Sequence, residues 1–188
     1  MNYVYKVVPK ALGKNTYDAK EKLKKCGCRY NSILGWYAKE KNSLPSGFTY
    51  VALDWDKMFT KNNVFTVEGA AEYLSETLSA AKTIDINSEF YGEQGTRYHN
   101  LKCTLHSKQT MDTAYGLKYR YLLFCDTAIF EWISTVNYEI TPNSTCTFDG
   151  TVKGYYNNYG AKITQMSRCK LSNIDLAPIV ENKGFELK

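Results

Sequence analysis

Few residues in this chain have the type and spacing for covalent or metal chemistry. The only two histidines, His99 and His106, stand seven apart and fall on opposite faces of any strand that holds both. That separation argues against a shared metal or a Cys–His couple within one element. No Gly-x-x-x-x-Gly-Lys-Ser/Thr loop, His-Glu-x-x-His pair or Cys-x-x-Cys pair occurs. Cys26-x-Cys28 lacks a second pair at zinc-site spacing and reads as two small buried residues. Cys103, Cys125, Cys146 and Cys169 lie in one segment, and filling a core is the favoured reading over converging on a metal. Asp54-Trp55-Asp56, with Glu68 and Glu72 further on, has the look of a nuclease carboxylate pair, but no third ligand or catalytic Lys is placed beside it. The expectation is a protein that is not an enzyme, with no catalytic residues, no metal and no cofactor.

What remains is binding chemistry. Tyrosine is the compositional outlier, with 16 copies against 8 Phe and 3 Trp, and the net charge is +5. A tyrosine joins a stacking face to a polar tip, which suits wet interfaces. It is also a strand former, so a β-rich core is the competing use. The modest positive charge favours an anionic partner. At 44% hydrophobic and 23% charged, the chain can build a packed core. It has no apolar run of membrane-spanning length, and Met1–Lys6 lack the layout of a signal peptide. A cytoplasmic protein without membrane association is expected, its thiols reduced.

The elements that must position these residues fall into four stretches. Residues 1–62 read as a small α/β unit. Tyr3, Tyr5 and Val7 alternate with Val4 and Lys6 as in a first strand. Thr16 is the expected N-cap of a helix through Lys25, with Ala19 and Leu23 on one face and Gly27 ending it. A hairpin follows at Cys28–Tyr30 and Gly35–Ala38, then a polar loop, then a strand at Phe48–Leu53. Residues 63–90 carry a linker helix, Glu68–Lys82, whose apolar stripe is Ala71, Leu74, Leu78 and Ala81. Docking of that short stripe is favoured over dimerisation. Residues 173–188 form a tail, where Pro178 and Gly184 argue against a long element.

Residues 91–172 hold the richest pattern. Five strands are expected at Tyr98–His106, Tyr115–Cys125, Ala128–Thr135, Thr147–Tyr155 and Ala161–Leu171. Five strands in so short a stretch fit the partly open Greek-key barrel of the OB-fold. The fold class is therefore α+β: a small N-terminal α/β unit, a linker helix and a C-terminal five-stranded OB-like β-barrel. His99, Leu101, Cys103 and Leu105 are expected to face the core. Phe130 and Trp132 share a face opposite Glu131 and Ile133. Lys162, Thr164, Met166, Arg168 and Lys170 make the most basic strand face. OB-folds bind on strands two and three and with loops one–two and four–five. The expected nucleic-acid-binding residues are Lys118, Arg120, Lys153, Tyr155, Tyr156, Tyr159, Lys162 and Arg168. Bases would stack on the tyrosines while the cations follow the phosphates.

Particular stretches carry a resemblance. Tyr98-His99-Asn100-Leu101-Lys102, Leu123-Phe124-Cys125-Asp126, Phe130-Glu131-Trp132, Gly150-Thr151-Val152-Lys153-Gly154-Tyr155 and Thr164-Gln165-Met166-Ser167-Arg168-Cys169-Lys170 resemble an OB-fold-like domain of small phage and plasmid proteins. The resemblance implies a single-stranded DNA-binding or replication and recombination accessory, in the host cytoplasm if phage-encoded. Lys20–Lys25, Gly27-Cys28-Arg29-Tyr30-Asn31 and Trp36-Tyr37 resemble a short domain of phage and plasmid DNA-metabolism proteins, which implies no mechanism. The reading is a single-stranded nucleic-acid-binding accessory protein, with a replication or host protein as a further partner. The alternative is a protein–protein interaction module, such as a phage-encoded inhibitor of a host factor, because tyrosine also enriches protein interfaces.

Overall fold

A computed structural model describes residues 3–58 and 67–178, the side chains of 67–69 and 79 excepted. The expected boundary at 62–63, the Glu68 side chain and the tail beyond Pro178 with Gly184 lie outside the described residues. The chain forms two compact units, one of Met1–Ser88 with Asn157–Lys162, the other of Glu89–Tyr156 with Ile163–Lys188.

The first unit is built on a four-stranded antiparallel sheet. Its strands are β1 (Tyr3–Pro9), β2 (Arg29–Asn31), β3 (Gly35–Ala38) and β4 (Phe48–Asp54), in the order β2-β3-β1-β4. Two helices belong to it, α1 (Lys20–Lys25) and α2 (Val67–Ala80). Side chains alternate across β1 as the pleat requires. Val7 packs with Trp36, Ala38, Cys28 and the α1 residues Ala19 and Leu23. Val4 packs on the opposite face with Leu34, Leu53, Met58 and Leu74 of α2. The sheet is thus covered by α1 on one face and by α2 on the other. The inward stripe of α2 is Ala70, Leu74 and Leu78, an unbroken i, i+4 row, while Ala71 is exposed.

Helix α1 starts later than expected. Its N-cap is Ala19, which makes no side-chain cap bond. Asn15 organises the entry instead, its Oδ1 accepting Asp18 N at 2.9 Å and its Nδ2 donating to Asp18 Oδ2 at 2.7 Å. The exit follows the expectation. Gly27, at φ +80°, donates to Lys24 O, and Cys28 N donates to Leu23 O, the paired bonds of a Schellman end.

The second unit is a closed five-stranded barrel, compatible with an OB-like fold. Its strands are β5 (Arg97–Thr113), β6 (Gly116–Cys125), β7 (Ala128–Ser134), β8 (Thr145–Asn158) and β9 (Ala161–Asp175), in the order β5-β6-β7-β9-β8. The β5–β6, β6–β7 and β5–β8 pairings are antiparallel, and β7 runs parallel to β9 with Glu131 opposite Gln165. Closure leaves no strand edge for pairing with another chain. The interior is aromatic: Phe130 stacks on Phe148 at 5.7 Å and Tyr121 on Trp132 at 5.2 Å. The buried Tyr121 hydroxyl donates to Val136 O and accepts from Tyr138 N, which ties the β7–β8 connection to the core. Trp132 is a core residue, as expected.

All five expected strands are present, and β5, β8 and β9 run beyond their expected ends. Two facing assignments change. His99 is exposed, and Tyr98 packs on the core in its place. Asn100 adopts φ 58° and the register with β8 shifts between Tyr98 and Leu101. Such a bulge inverts the inward and outward sets upstream of it. In β9, Arg168 at φ 50° does the same. Thr164 and Met166 turn inward, as do Cys169 and Leu171 beyond the bulge, so the expected five-residue basic face is interrupted.

All six cysteines are free, and Cys103 faces Cys146 across β5 and β8. Burial pushes the Cys146 thiol up to about 11 and that of Cys169 up to about 12. Among the described residues, no group of three or more His, Cys, Asp or Glu is placed to hold a metal, and no helix is long and apolar enough to cross a membrane.

Asp149 clamps the β5 bulge. Its Oδ1 accepts Asn100 N at 2.8 Å, and its Oδ2 lies 3.2 Å from His99 Nδ1. The Asn100 N–H, followed by the His99 bond, holds its carboxyl below the ordinary 3.8. A depressed carboxylate contributes stability above its unfolded pKa and loses it as pH falls through the folded value. Asp149→Asn is therefore expected to cost about 1 kcal/mol at pH 7. The gap from the parent protein should close below about pH 4 in urea titrations. An equal gap at pH 7 and pH 3 would show that the charge of Asp149 contributes nothing.

Candidate nucleic-acid interface

The outer face of β6 and β7 follows from the strand alternation. Tyr121 and Leu123 point inward, so Lys118, Arg120 and Leu122 point outward. Phe130 and Trp132 point inward, so Glu131 and Ile133 point outward. Arg120 and Glu131 form an ion pair on this face, Nε to Oε1 at 2.5 Å. The other Glu131 oxygen accepts from Gln165 Nε2 at 3.2 Å. Arg120 also donates to Gln109 Oε1 at 3.4 Å and to the Tyr156 hydroxyl at 3.3 Å. A polar network thus runs over all five strands. Burial works to lower the Arg120 pKa, but the Glu131 charge and the Tyr156 contact outweigh it and leave it raised. Burial, then the Glu131 charge, pushes the Tyr156 hydroxyl up to about 12. The charge of Arg120 is matched by Glu131, so this pair is an ordered polar ridge with no excess charge.

The other expected residues divide around this ridge. Lys153 and Arg168 line a shallow hollow of about 180 Å³ together with Glu131, Ile133 and Gln165. The Arg168 carbonyl accepts from Arg97 Nη1 at 2.8 Å, which fixes the bulge beside the hollow. Lys118 lies over the Tyr115 ring, 5.8 Å from its centroid. Tyr115 sits in the β5–β6 turn and is 90% exposed. Thr113 shapes that turn, its Oγ1 accepting Tyr115 N and donating to Gly116 O.

Consecutive strand residues point to opposite sides, and Tyr155 accordingly turns away from Tyr156. Its hydroxyl donates to Gly92 O at 2.7 Å and its ring packs 5.3 Å from Phe90. Tyr155 thus fastens the segment before β5. Tyr159 and Lys162 are grouped with the first unit. Tyr159 O accepts Ile84 N, and Lys162 N donates to Ser88 Oγ. Gly160 is required in that turn, because it has φ +107° and an added Cβ would lie 3.0 Å from Ile84 O.

The structure therefore brings Lys153, Arg168, Arg120 and Tyr156 to one neighbourhood around Glu131, with Lys118 at the rim. Tyr155, Tyr159 and Lys162 stand elsewhere. Sequence reasoning missed Tyr115, Glu131, Gln109 and Gln165. The lone acid of an otherwise apolar strand, placed opposite Phe130 and Trp132, was the available signal for Glu131. For Tyr115 the signal was an aromatic residue between turn-forming Thr113 and Gly116.

Compared with models of protein families, with curated proteins and with solved structures, the chain has no match.

Truncating one partner of a desolvated ion pair strands the other. Glu131→Ala leaves the Arg120 side chain, 20% exposed, without its counter-charge. The expected cost is about 2–4 kcal/mol in urea unfolding. Glu131→Gln keeps one acceptor, toward Arg120 Nε, but turns a donor toward Gln165 Nε2 and removes the charge, so it should lose less than Glu131→Ala and more than nothing. A cost near zero for Glu131→Ala would mark the pair as solvent-screened and the network as incidental.

Proposed function

We propose that the protein binds single-stranded nucleic acid, DNA in the first instance, as a non-catalytic accessory of replication or recombination in the cytoplasm. The barrel offers the strands and loops with which OB-like folds bind oligonucleotides. The observation that carries the reading is the pair at the rim of the β6–β7 face. Tyr115 presents an open ring in the loop between the first two barrel strands, with Lys118 over that ring. A base can stack on such a ring while the ammonium meets a phosphate. The hollow with Lys153 and Arg168 supplies two further cations on the same barrel.

A second reading is supported by a different observation. Leu117, Ile133 and Val136 are exposed apolar side chains on the same unit. Ile133 lies beside Glu131 and Gln165 of the polar network, and an apolar group so placed suits a protein partner, such as a replication or host factor.

Tyr115→Ala with Lys118→Ala decides between them. Tyr115 is exposed and Lys118 half-buried outside the core, so the fold is expected to stay intact. Loss of one stacking platform and one cation should weaken single-strand binding roughly tenfold or more. Unchanged affinity in a folded double variant would remove this face from nucleic-acid binding and favour the protein partner.

A further inference from the structure

The positive charge of this chain is not on the barrel. Residues 89–178, leaving out 157–162 of the first unit, hold eight Lys and Arg against eight Asp and Glu. The first unit, residues 1–88 with 157–162, holds fourteen against nine, which is the whole net +5 of the chain. The fold of the first unit concentrates part of that excess. Leu23 and Ala19 of α1 turn into the core, so Lys20, Lys22, Lys24 and Lys25 turn to solvent. The acids nearby are partly occupied: Glu21 pairs with Lys24 at 3.1 Å, and Asp18 bonds Asn15.

Tyrosines frame these lysines. Tyr17 is 74% exposed, with Lys20 Nζ 5.0 Å from its ring centroid. Tyr30, on edge strand β2, is 66% exposed and meets Trp36 edge-on at 5.7 Å. Trp36 belongs to the core under α1, so Tyr30 stands on the α1 side of the sheet. Lys41 lies 5.3 Å from the centroid of Tyr5, on that same side. Arg29, the neighbour of Tyr30 on β2, pairs with Tyr37 of the α2-side cluster and leaves from the other side of the sheet, so it is not part of this face.

We propose that this α1–β2 face is a second binding surface for single-stranded nucleic acid, with the α1 lysines on phosphates and Tyr17 and Tyr30 as base platforms. The identity of the ligand rests on the function proposed above; the surface itself does not. Charge complementarity selects a polyanion. Open rings between the cations select one whose bases can stack. Among described residues 3–58, the exposed large hydrophobic side chains are all tyrosines. An interfacial membrane surface would present Trp, Phe or Leu for insertion.

The test uses the full chain and a labelled oligodeoxythymidine, with affinity followed against salt. Lys20→Gln with Lys22→Gln and Lys25→Gln removes three surface charges. The slope of log affinity on log salt should become shallower by about 2. Tyr17→Ala with Tyr30→Ala should weaken binding and leave the slope unchanged, and it decides the matter should the lysine variant fail to fold. Parent-like affinity and slope in both folded variants would overturn the proposal. So would binding of phosphatidylserine vesicles or an acidic protein without binding of the oligonucleotide. The Tyr115→Ala, Lys118→Ala variant separates the two surfaces. If it alone weakens binding, this face is not used and the barrel reading stands. If only the α1 and tyrosine variants weaken binding, this face holds and the barrel reading fails.

Discussion

The second unit depends on contacts made across its interior. Phe130 of β7 stacks on Phe148 of β8, two strands separated in the sheet by β9. Tyr121 of β6 stacks on Trp132 of β7, and Trp132 in turn meets Phe148. Aromatic pairs of this kind add about 0.5–1.5 kcal/mol each beyond the area they bury. The Phe130–Phe148 and Trp132–Phe148 contacts reach across β9 and fix the separation of β7 and β8, while Tyr121–Trp132 is a cross-strand pair of neighbouring strands. The alternation set by these inward rings then decides what faces out. Arg120, Glu131 and Ile133 occupy the outer face because Tyr121, Phe130 and Trp132 occupy the inner one.

The outer face that results is polar more than basic. Glu131 matches Arg120, and Gln109, Gln165 and Tyr156 complete the hydrogen bonding. What such a face offers is hydrogen-bonding groups and aromatic surface with little excess charge. The first unit has the opposite character, with lysines on a short helix and exposed tyrosines beside them. The two proposed surfaces therefore differ in chemistry, one polar and charge-balanced, the other basic.

Much of this architecture was legible in the sequence because period-two alternation and turn residues mark strands directly. Gly27 announced the end of α1, and the run from Ala128 to Thr135 announced β7. The misplaced strand faces have a common cause. Asn100 and Arg168 adopt left-handed backbone inside strands, and each bulge reverses the facing of its neighbours. Asn tolerates that conformation, so Asn100 carried a weak signal; Arg168 carried none. The candidate site was only partly legible for a related reason. Strand alternation separates Tyr155 from Tyr156, and the partners that decide their roles, Gly92 and Arg120, lie 63 and 36 residues away. The +5 net charge concealed its own distribution, which emerges only when the two units are counted apart.

The most direct measurement is fluorescence anisotropy of a labelled single strand of about thirty nucleotides, a length that spans several OB-type sites. It would be titrated with the parent protein at low and moderate salt, beside the matching duplex. The account predicts tight binding to the single strand, weaker binding to the duplex, and affinity that falls as salt rises. Absence of single-strand binding at low salt would contradict it, and equal affinity for strand and duplex would contradict the role assigned to the tyrosines.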